Sequence, residues 1–415
     1  MFAMRLGGEE HDESSQAVGQ SGAEATTFNR TNTGNVQKLL RGVQVKMKKS
    51  AIILGGGVTG CAAAREFCGK GFEVTLIEKN EYLGGGCHTF FWGGHPYTEG
   101  PRPFSIVSEK EFAYIHDIVP MRRFPLFLDT YVERDRSFYS FPIHWDDIQA
   151  MPDKEQILKE LDERPEKNNA TNLEQGWLNA VGPTLYEKYV KTYTQKMWEV
   201  EDNAIFEDFS WSVKGSPIQR GSRVVELTKG KPEHAYPVEE TGYNRFFDYC
   251  VKDAKVILSA EATVLDLEKK KVAANGEEFS ADILVSTIAL DDLMRKAYGE
   301  LRYMGRDFYP IVLPIERIFR DSHHYIHYPN EEKYTRIVEY KNLTGHKSKD
   351  TLLVMEVPSH RNRLYGYNIK SERDRAEKYL GNLPDGVYAA GRLGTYRYLN
   401  IGQCFESVWE LMEKI

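Results

Sequence analysis

The sequence predicts an α/β protein in which a Rossmann-like domain carries a helical insertion and an antiparallel sheet domain. Three observations predict it. Residues 50–78 read as strand, glycine turn, helix, strand and acid; residues 145–210 are charged and helical in pattern; residues 301–370 show short apolar alternations. With 415 residues, 41% of them hydrophobic, the chain is long enough for a large core and more than one domain.

Residues 1–46 come first and differ from the rest. They are rich in Gly, Ser, Thr, Gln and Asn, and lack the charged start and apolar run of a signal peptide. They read as a disordered tail, with Met47 just before the first strand; a regulatory arm is the alternative. Ser50-Ala-Ile-Ile-Leu54 is that strand, Gly55-Gly-Gly-Val-Thr-Gly60 the turn, and Cys61 to Gly69 the helix. Phe72 to Ile77 is the second strand and ends at Glu78. A Gly55-x-Gly57-x-x-Gly60 spacing alone is weak. Here it stands between a strand and a helix, and Glu78 follows at about 20 residues, where a ribose-binding acid belongs. Glycines let the backbone approach a pyrophosphate held at the helix N-terminus, and Glu78 would accept from ribose hydroxyls. A second glycine turn, Gly84-Gly85-Gly86, would lie against the phosphates and lead toward an isoalloxazine, so the expected cofactor is noncovalent FAD.

Further along, Gly182 to Trp198 is expected to be helical. Glu261 to Leu265 and Asp282 to Ser286 read as strands flanking a Lys/Gly-rich turn, with Val264 near the adenine. Ile311 to Ile315, Arg336 to Tyr340 and Thr351 to Met355 read as strands of a sheet over the flavin. Gly386 to Gly391 is a strand running into a glycine turn beside Arg392, and Gln403 to Lys414 a closing helix. The boundaries are a tail over 1–46; an FAD-binding domain from 47–144 with 240–300 and 385–415; a helical domain over 145–212; and a sheet domain from 213–239 with 301–384. A net charge of −7 gives no basic bias toward nucleic acid or anionic membranes, and no apolar run reaches a membrane span. Five cysteines without a paired CxxC motif fit reduced thiols in a cytoplasmic protein with no zinc site.

Several segments, in one order from about Lys48 to the C-terminus, resemble the UDP-galactopyranose mutase family. The strongest are Tyr193-Thr-Gln-Lys-Met-Trp198, Tyr334-Thr-Arg-Ile-Val-Glu-Tyr-Lys341 and Gly391-Arg-Leu-Gly-Thr-Tyr-Arg-Tyr398; Phe141-Pro-Ile143, Tyr236-Pro-Val238 and Tyr365-Gly-Tyr-Asn-Ile369 are weaker. The resemblance implies that Tyr193 stacks on uracil, Trp198 lines the sugar pocket, and Arg336 holds the diphosphate with the hydroxyls of Tyr367 and Tyr398. Arg392 would face the flavin side, and Asn400 stands where the family has an acid. A guanidinium fork suits a diphosphate. Two departures stand out: Arg102 and Ser105 occupy histidine positions, and only Lys214 or Arg220 could replace a second diphosphate arginine. Trp198 has core packing as its alternative, and Arg336 a surface pair with Glu339.

The reaction this implies is pyranose–furanose interconversion of a nucleotide-linked sugar in polysaccharide biosynthesis. It would use reduced FAD and pass through a flavin N5–sugar adduct. The substrate would be a nucleotide sugar, with no nucleic-acid or membrane partner; a homodimer is the assembly left open. One rival is an FAD oxidoreductase of the amine-oxidase or protoporphyrinogen-oxidase type, which needs an apolar tunnel. The other is a flavin-containing nucleotide-sugar binder without turnover.

Overall fold

The computed structural model describes residues 48–207, 209, 218–220, 233–320 and 323–415. The tail over 1–46 and Lys214 lie outside the described residues. Strand β1 (Ser50–Leu54) passes through the glycine turn into helix α1 (Val58–Gly69) and returns as β2 (Glu73–Ile77). These belong to a five-stranded sheet in the order Lys255–Ile257, β2, β1, Ile283–Ser286, Val387–Ala389, every pair of it parallel. A parallel sheet is covered on both faces and so reads as a continuous apolar run. Successive residues of β1 show this. Ala51 and Ile53 enter the cluster formed with α1 and the terminal helix Ile401–Met412, whereas Ile52 and Leu54 enter the opposite cluster with Val264, Val272 and Leu293. Ala62, Ala63 and Ala64 let α1 approach closely, and all three are fully buried.

A seven-stranded sheet forms the second layer, in the order Tyr365–Gly366, Tyr303–Leu313, Thr351–Ser359, Arg336–Glu339, His323–His327, Phe127–Val132, Ser137–Phe141. It is antiparallel except where His323–His327 runs parallel to Phe127–Val132. Short helices over 145–198 pack on it through Ile157, Trp177, Leu185, Tyr186 and Trp198. Among the described residues no helix is long and apolar enough to cross a membrane.

Four expectations need correction. The segment read as a Lys/Gly-rich turn contains two strands, Lys271–Ala274 and Glu277–Ser280, which complete a three-stranded meander with Thr263–Asp266. Its hairpin turn is Asn275-Gly276, both at positive φ (48° and 80°), the backbone that a two-residue hairpin requires. Phe127–Phe141, expected within the FAD-binding part, supplies two strands of the seven-stranded sheet. His234–Pro237, expected with that sheet, instead pairs with Phe104–Ser105 and Met121–Phe124. Partners so distant in sequence leave no local signature. Finally, the helix from Pro183 to Trp198 carries a π-helical segment at Glu187–Lys191.

That π segment presents Lys188 to the sheet. Its ammonium, with no solvent exposure, donates to Asp135 Oδ2 and Asp153 Oδ1 at 2.5 Å each. Asp135 sits between two strands of the seven-stranded sheet and also accepts from the Tyr139 hydroxyl at 3.0 Å. One cation thus ties the helices to the sheet. Lys188→Met should leave the buried Asp135 carboxylate with only the more distant Arg134, at 3.8 Å, as counter-charge, and destabilise the protein by about 3 kcal/mol, read as a lowered denaturation midpoint. An unchanged midpoint would show that the pair contributes nothing.

Candidate active site

The glycine turn divides its labour. Gly55 has φ +95°, and a Cβ on Gly60 would lie 1.8 Å from the Gly55 carbonyl oxygen, so these two glycines close the turn on itself. Gly57 is different: it caps α1 in ordinary extended backbone with no side-chain cap, and a Cβ there would meet nothing within 4 Å. The second turn lies against the first. Gly84 N donates to Gly56 O at 2.7 Å, and a Cβ on Gly85 would be 3.6 Å from Gly57 Cα. Buried Glu78 accepts from Gly56 N at 2.6 Å and Asn80 N at 2.8 Å, which fixes its carboxylate at the mouth of the turn. Open space before an uncapped helix N-terminus, beside a fixed acid, fits a dinucleotide. Val264 is buried in the apolar cluster behind β2. Gly391, at φ +76°, packs where a Cβ would strike the Thr59 hydroxyl at 2.3 Å, and its N–H goes to Ser407.

Arg102 joins this cradle to a cationic cleft. Its Nε donates to Gly86 O at 3.3 Å, and its Nη2 lies 3.1 Å from where a Gly86 Cβ would stand. In the cleft Arg336 Nε donates to Glu356 Oε2 at 2.7 Å, and Arg306 Nη1 donates to the same oxygen at 2.7 Å. Arg306 is held further by Thr335 Oγ1 at 2.8 Å and Met197 Sδ at 2.8 Å. Arg392 binds the Leu399 carbonyl through Nε and Nη2 and lies about 5 Å from the ring centroids of both Tyr365 and Tyr398. Those two rings stack at 5.5 Å and 17°, with Tyr365 buried and Tyr398 half exposed at the mouth. Burial opposes ionisation of Tyr365, yet the guanidiniums of Arg102, Arg306, Arg392 and Arg336 bring its hydroxyl down to about 7. Across the cleft, His327 packs between Tyr193 at 5.3 Å, Tyr325 at 5.4 Å and Phe141 at 5.6 Å. Burial, then Arg336 and Arg306, push His327 down to about 3, so it stays neutral.

The structure brings Tyr193, Arg336, Arg392 and Tyr398 to this cleft and commits other expected residues to the scaffold. Tyr367 is fully buried and its hydroxyl donates to Trp198 O at 2.6 Å, so that hydroxyl is occupied. The Trp198 ring is buried against Tyr367 and Phe206. Asn400 caps the terminal helix in a capping box with Gln403. Arg220 stacks over Trp145 at 4.2 Å. Arg336 pairs with Glu356 rather than Glu339, whose carboxylate is taken by Ile318 N, Phe319 N and Thr351 Oγ1. Tyr365 is named in the sequence only as the first residue of a resembling segment, without a role, and Arg306, Glu356 and His327 are passed over. Only the strand alternation carried a signal for them, because their partners arrive from other strands.

Residues 188–398, just over half of the chain, match the family model described as UDP-galactopyranose mutase, and residues 53–115 match an NAD(P)-binding Rossmann-like domain. The chain is 23% identical over 380 residues to a probable UDP-galactopyranose mutase of Klebsiella pneumoniae, covering 85% of this chain and 91% of that protein. It is 22% identical to the dTDP-fucopyranose mutase of Escherichia coli, covering 86% and 96% respectively. A crystal structure of reduced UDP-galactopyranose mutase superposes with a TM-score of 0.72 at 17% identity, over 89% of this chain and 96% of that one. A putative protoporphyrinogen oxidase from an Exiguobacterium species gives 0.65 at 14%, over 88% and 98%.

Two outcomes follow from this geometry. Gly57→Val places its side chain in open space on unstrained backbone, so the protein should fold with an unchanged circular dichroism spectrum yet lose its FAD; a yellow, flavin-replete variant would contradict the cradle. For Tyr365, the folded value lies below the ordinary tyrosine value of about 10. Its ionised form therefore adds stability that is full above about 10 and is lost as pH falls through about 7. The melting-temperature gap between wild type and Tyr365→Phe should widen from about pH 6 to about pH 9; a gap independent of pH would show an ordinary tyrosine.

Proposed function

The chain belongs to the UDP-galactopyranose mutase family, and from that premise we propose that it is an FAD-dependent isomerase interconverting pyranose and furanose forms of a nucleotide-linked sugar. The observation that carries this reading is the convergence of Arg102, Arg306, Arg336 and Arg392 on one cleft with aromatic faces beside the glycine cradle. Such a cleft suits a diphosphate and a base, and its charge is at odds with the apolar tunnel an oxidase of this fold would need.

Gly57, the α1 N-terminus and Glu78 would hold FAD, with Gly85 and Gly86 against its phosphates and Val264 behind the adenine side. Reduced FAD, when bound there, would supply the nucleophilic chemistry toward the anomeric carbon. The protein's part is to keep the departing nucleotide in place for its return, an orientation effect. Arg336 does this with its terminal guanidinium nitrogens, which have no partner among the described residues while Nε is fixed by Glu356. Tyr193 offers its ring to the base from the last turns of the helical segment, beside neutral His327. Tyr365 and Tyr398, backed by buried Trp198, close the sugar side against water.

Dithionite-reduced protein incubated with UDP-galactopyranose or dTDP-fucopyranose should yield a furanose by chromatography, and oxidised protein none. Absence of a furanose from every nucleotide sugar tried with reduced protein would retire the mutase reading. Arg336→Ala should weaken nucleotide-sugar binding by about 2–5 kcal/mol in a calorimetric titration, with FAD content unchanged. Arg336→Lys should recover only part of the loss, because a point charge cannot reproduce the fork.

A further inference from the structure

Arg306 is 4% exposed, and its neighbours define its orientation completely on one side: Glu356 Oε2 and Thr335 Oγ1 at Nη1, Met197 Sδ at Nη2. Glu356 is fully buried and gives one oxygen, Oε2, to both Arg306 and Arg336. Two cations on one carboxylate leave the trio with a net positive charge in a largely desolvated place. Two of its polar atoms, Arg306 Nε and Glu356 Oε1, have no hydrogen-bond partner among the described residues. A buried ion pair adds little to stability when its desolvation is counted, and buried groups left unsatisfied cost more. An arrangement that is poor as scaffold and short of one negative charge makes sense where an anion completes it. Arg336, at the open end, is the member whose terminal nitrogens have no hydrogen-bond partner among the described residues; Arg306 is the enclosed one.

We propose that Arg306 is a positioning residue for the diphosphate site: through their shared carboxylate Glu356, it fixes Arg336 with the guanidinium fork presented to the anion. The proposal rests on the nucleotide-sugar reading above. Without Arg306, Glu356 is free to take Arg336 in a bidentate pair, which turns the fork inward and away from the ligand. Arg306 therefore acts by denying Glu356 a full claim on Arg336 as well as by fixing the carboxylate.

The test is a double-mutant cycle on UDP affinity, measured calorimetrically on the oxidised, FAD-loaded protein for wild type, Arg306→Met, Arg336→Met and the double variant. Arg306→Met should weaken UDP binding by about tenfold or more, and the double variant should bind within about twofold of Arg336→Met, because both act through one contact. FAD content should be the same in all four. Arg306→Met at wild-type affinity, or losses that multiply in the double variant, would overturn the proposal. If Arg306→Met does not fold, Arg306→Lys keeps the buried charge but cannot reach all three partners, and the same non-additivity is expected of it. Wild-type protein that does not bind UDP would instead bring down the nucleotide-sugar reading itself, and this inference with it.

Discussion

A carboxylate shut away from water and shared by two guanidiniums sets the terms for the whole cleft. Glu356 lies at the register position opposite Arg336 on neighbouring antiparallel strands, so the pairing is built into the sheet. Arg306 reaches the same oxygen from the next strand over. Three strands of one sheet thus hold a net cation in a desolvated place, where Coulomb interactions are strong and an unpaired charge is expensive. That field adds to burial and to the charges of Arg102 and Arg392 in setting the groups nearby. Tyr365 is drawn toward ionisation, His327 is kept neutral, and Tyr398 and Tyr193 bring apolar faces to the cleft instead of competing charges.

The glycine cradle solves a different problem. Its closing glycines, Gly55 and Gly60, exist because any side chain would strike the turn's own backbone or Thr287. Gly57 exists for what must come close from outside. Arg102 ties this cradle to the cationic cleft by bonding Gly86, and Tyr243 in turn bonds the Arg102 carbonyl at 2.6 Å. A cation thereby stands where the resemblance leads one to expect histidine, so the charge of the flavin side is fixed rather than dependent on protonation.

Residues that carried the family resemblance separate into two groups once folded. Arg336, Arg392, Tyr193 and Tyr398 line the cleft. Trp198 and Tyr367 support it from behind, the Tyr367 hydroxyl holding the end of the helical segment through Trp198 O; Asn400, a departure from the family, starts the terminal helix that packs on α1. A motif shared for such reasons marks the site's walls as clearly as its contacts.

The sequence by itself determined what depends on near neighbours. Strand, glycine turn, helix, strand and acid over 50–78 could be read because backbone sterics and helix-end chemistry act within a few residues. The Asn275-Gly276 hairpin was equally local and was overlooked. Arg336 could be singled out as a cation but not paired. Its neighbour Glu339 is spent on backbone amides, and its true partner Glu356 meets it across the sheet. That the Tyr367 hydroxyl is spent on Trp198 O, that the Trp198 ring is buried against Tyr367 and Phe206, and where Phe127–Phe141 belongs were decided by the tertiary structure alone. The reason is physical: side-chain alternation says which residues share a face of a strand, but only pairing register and burial say which charges meet and which lose their water.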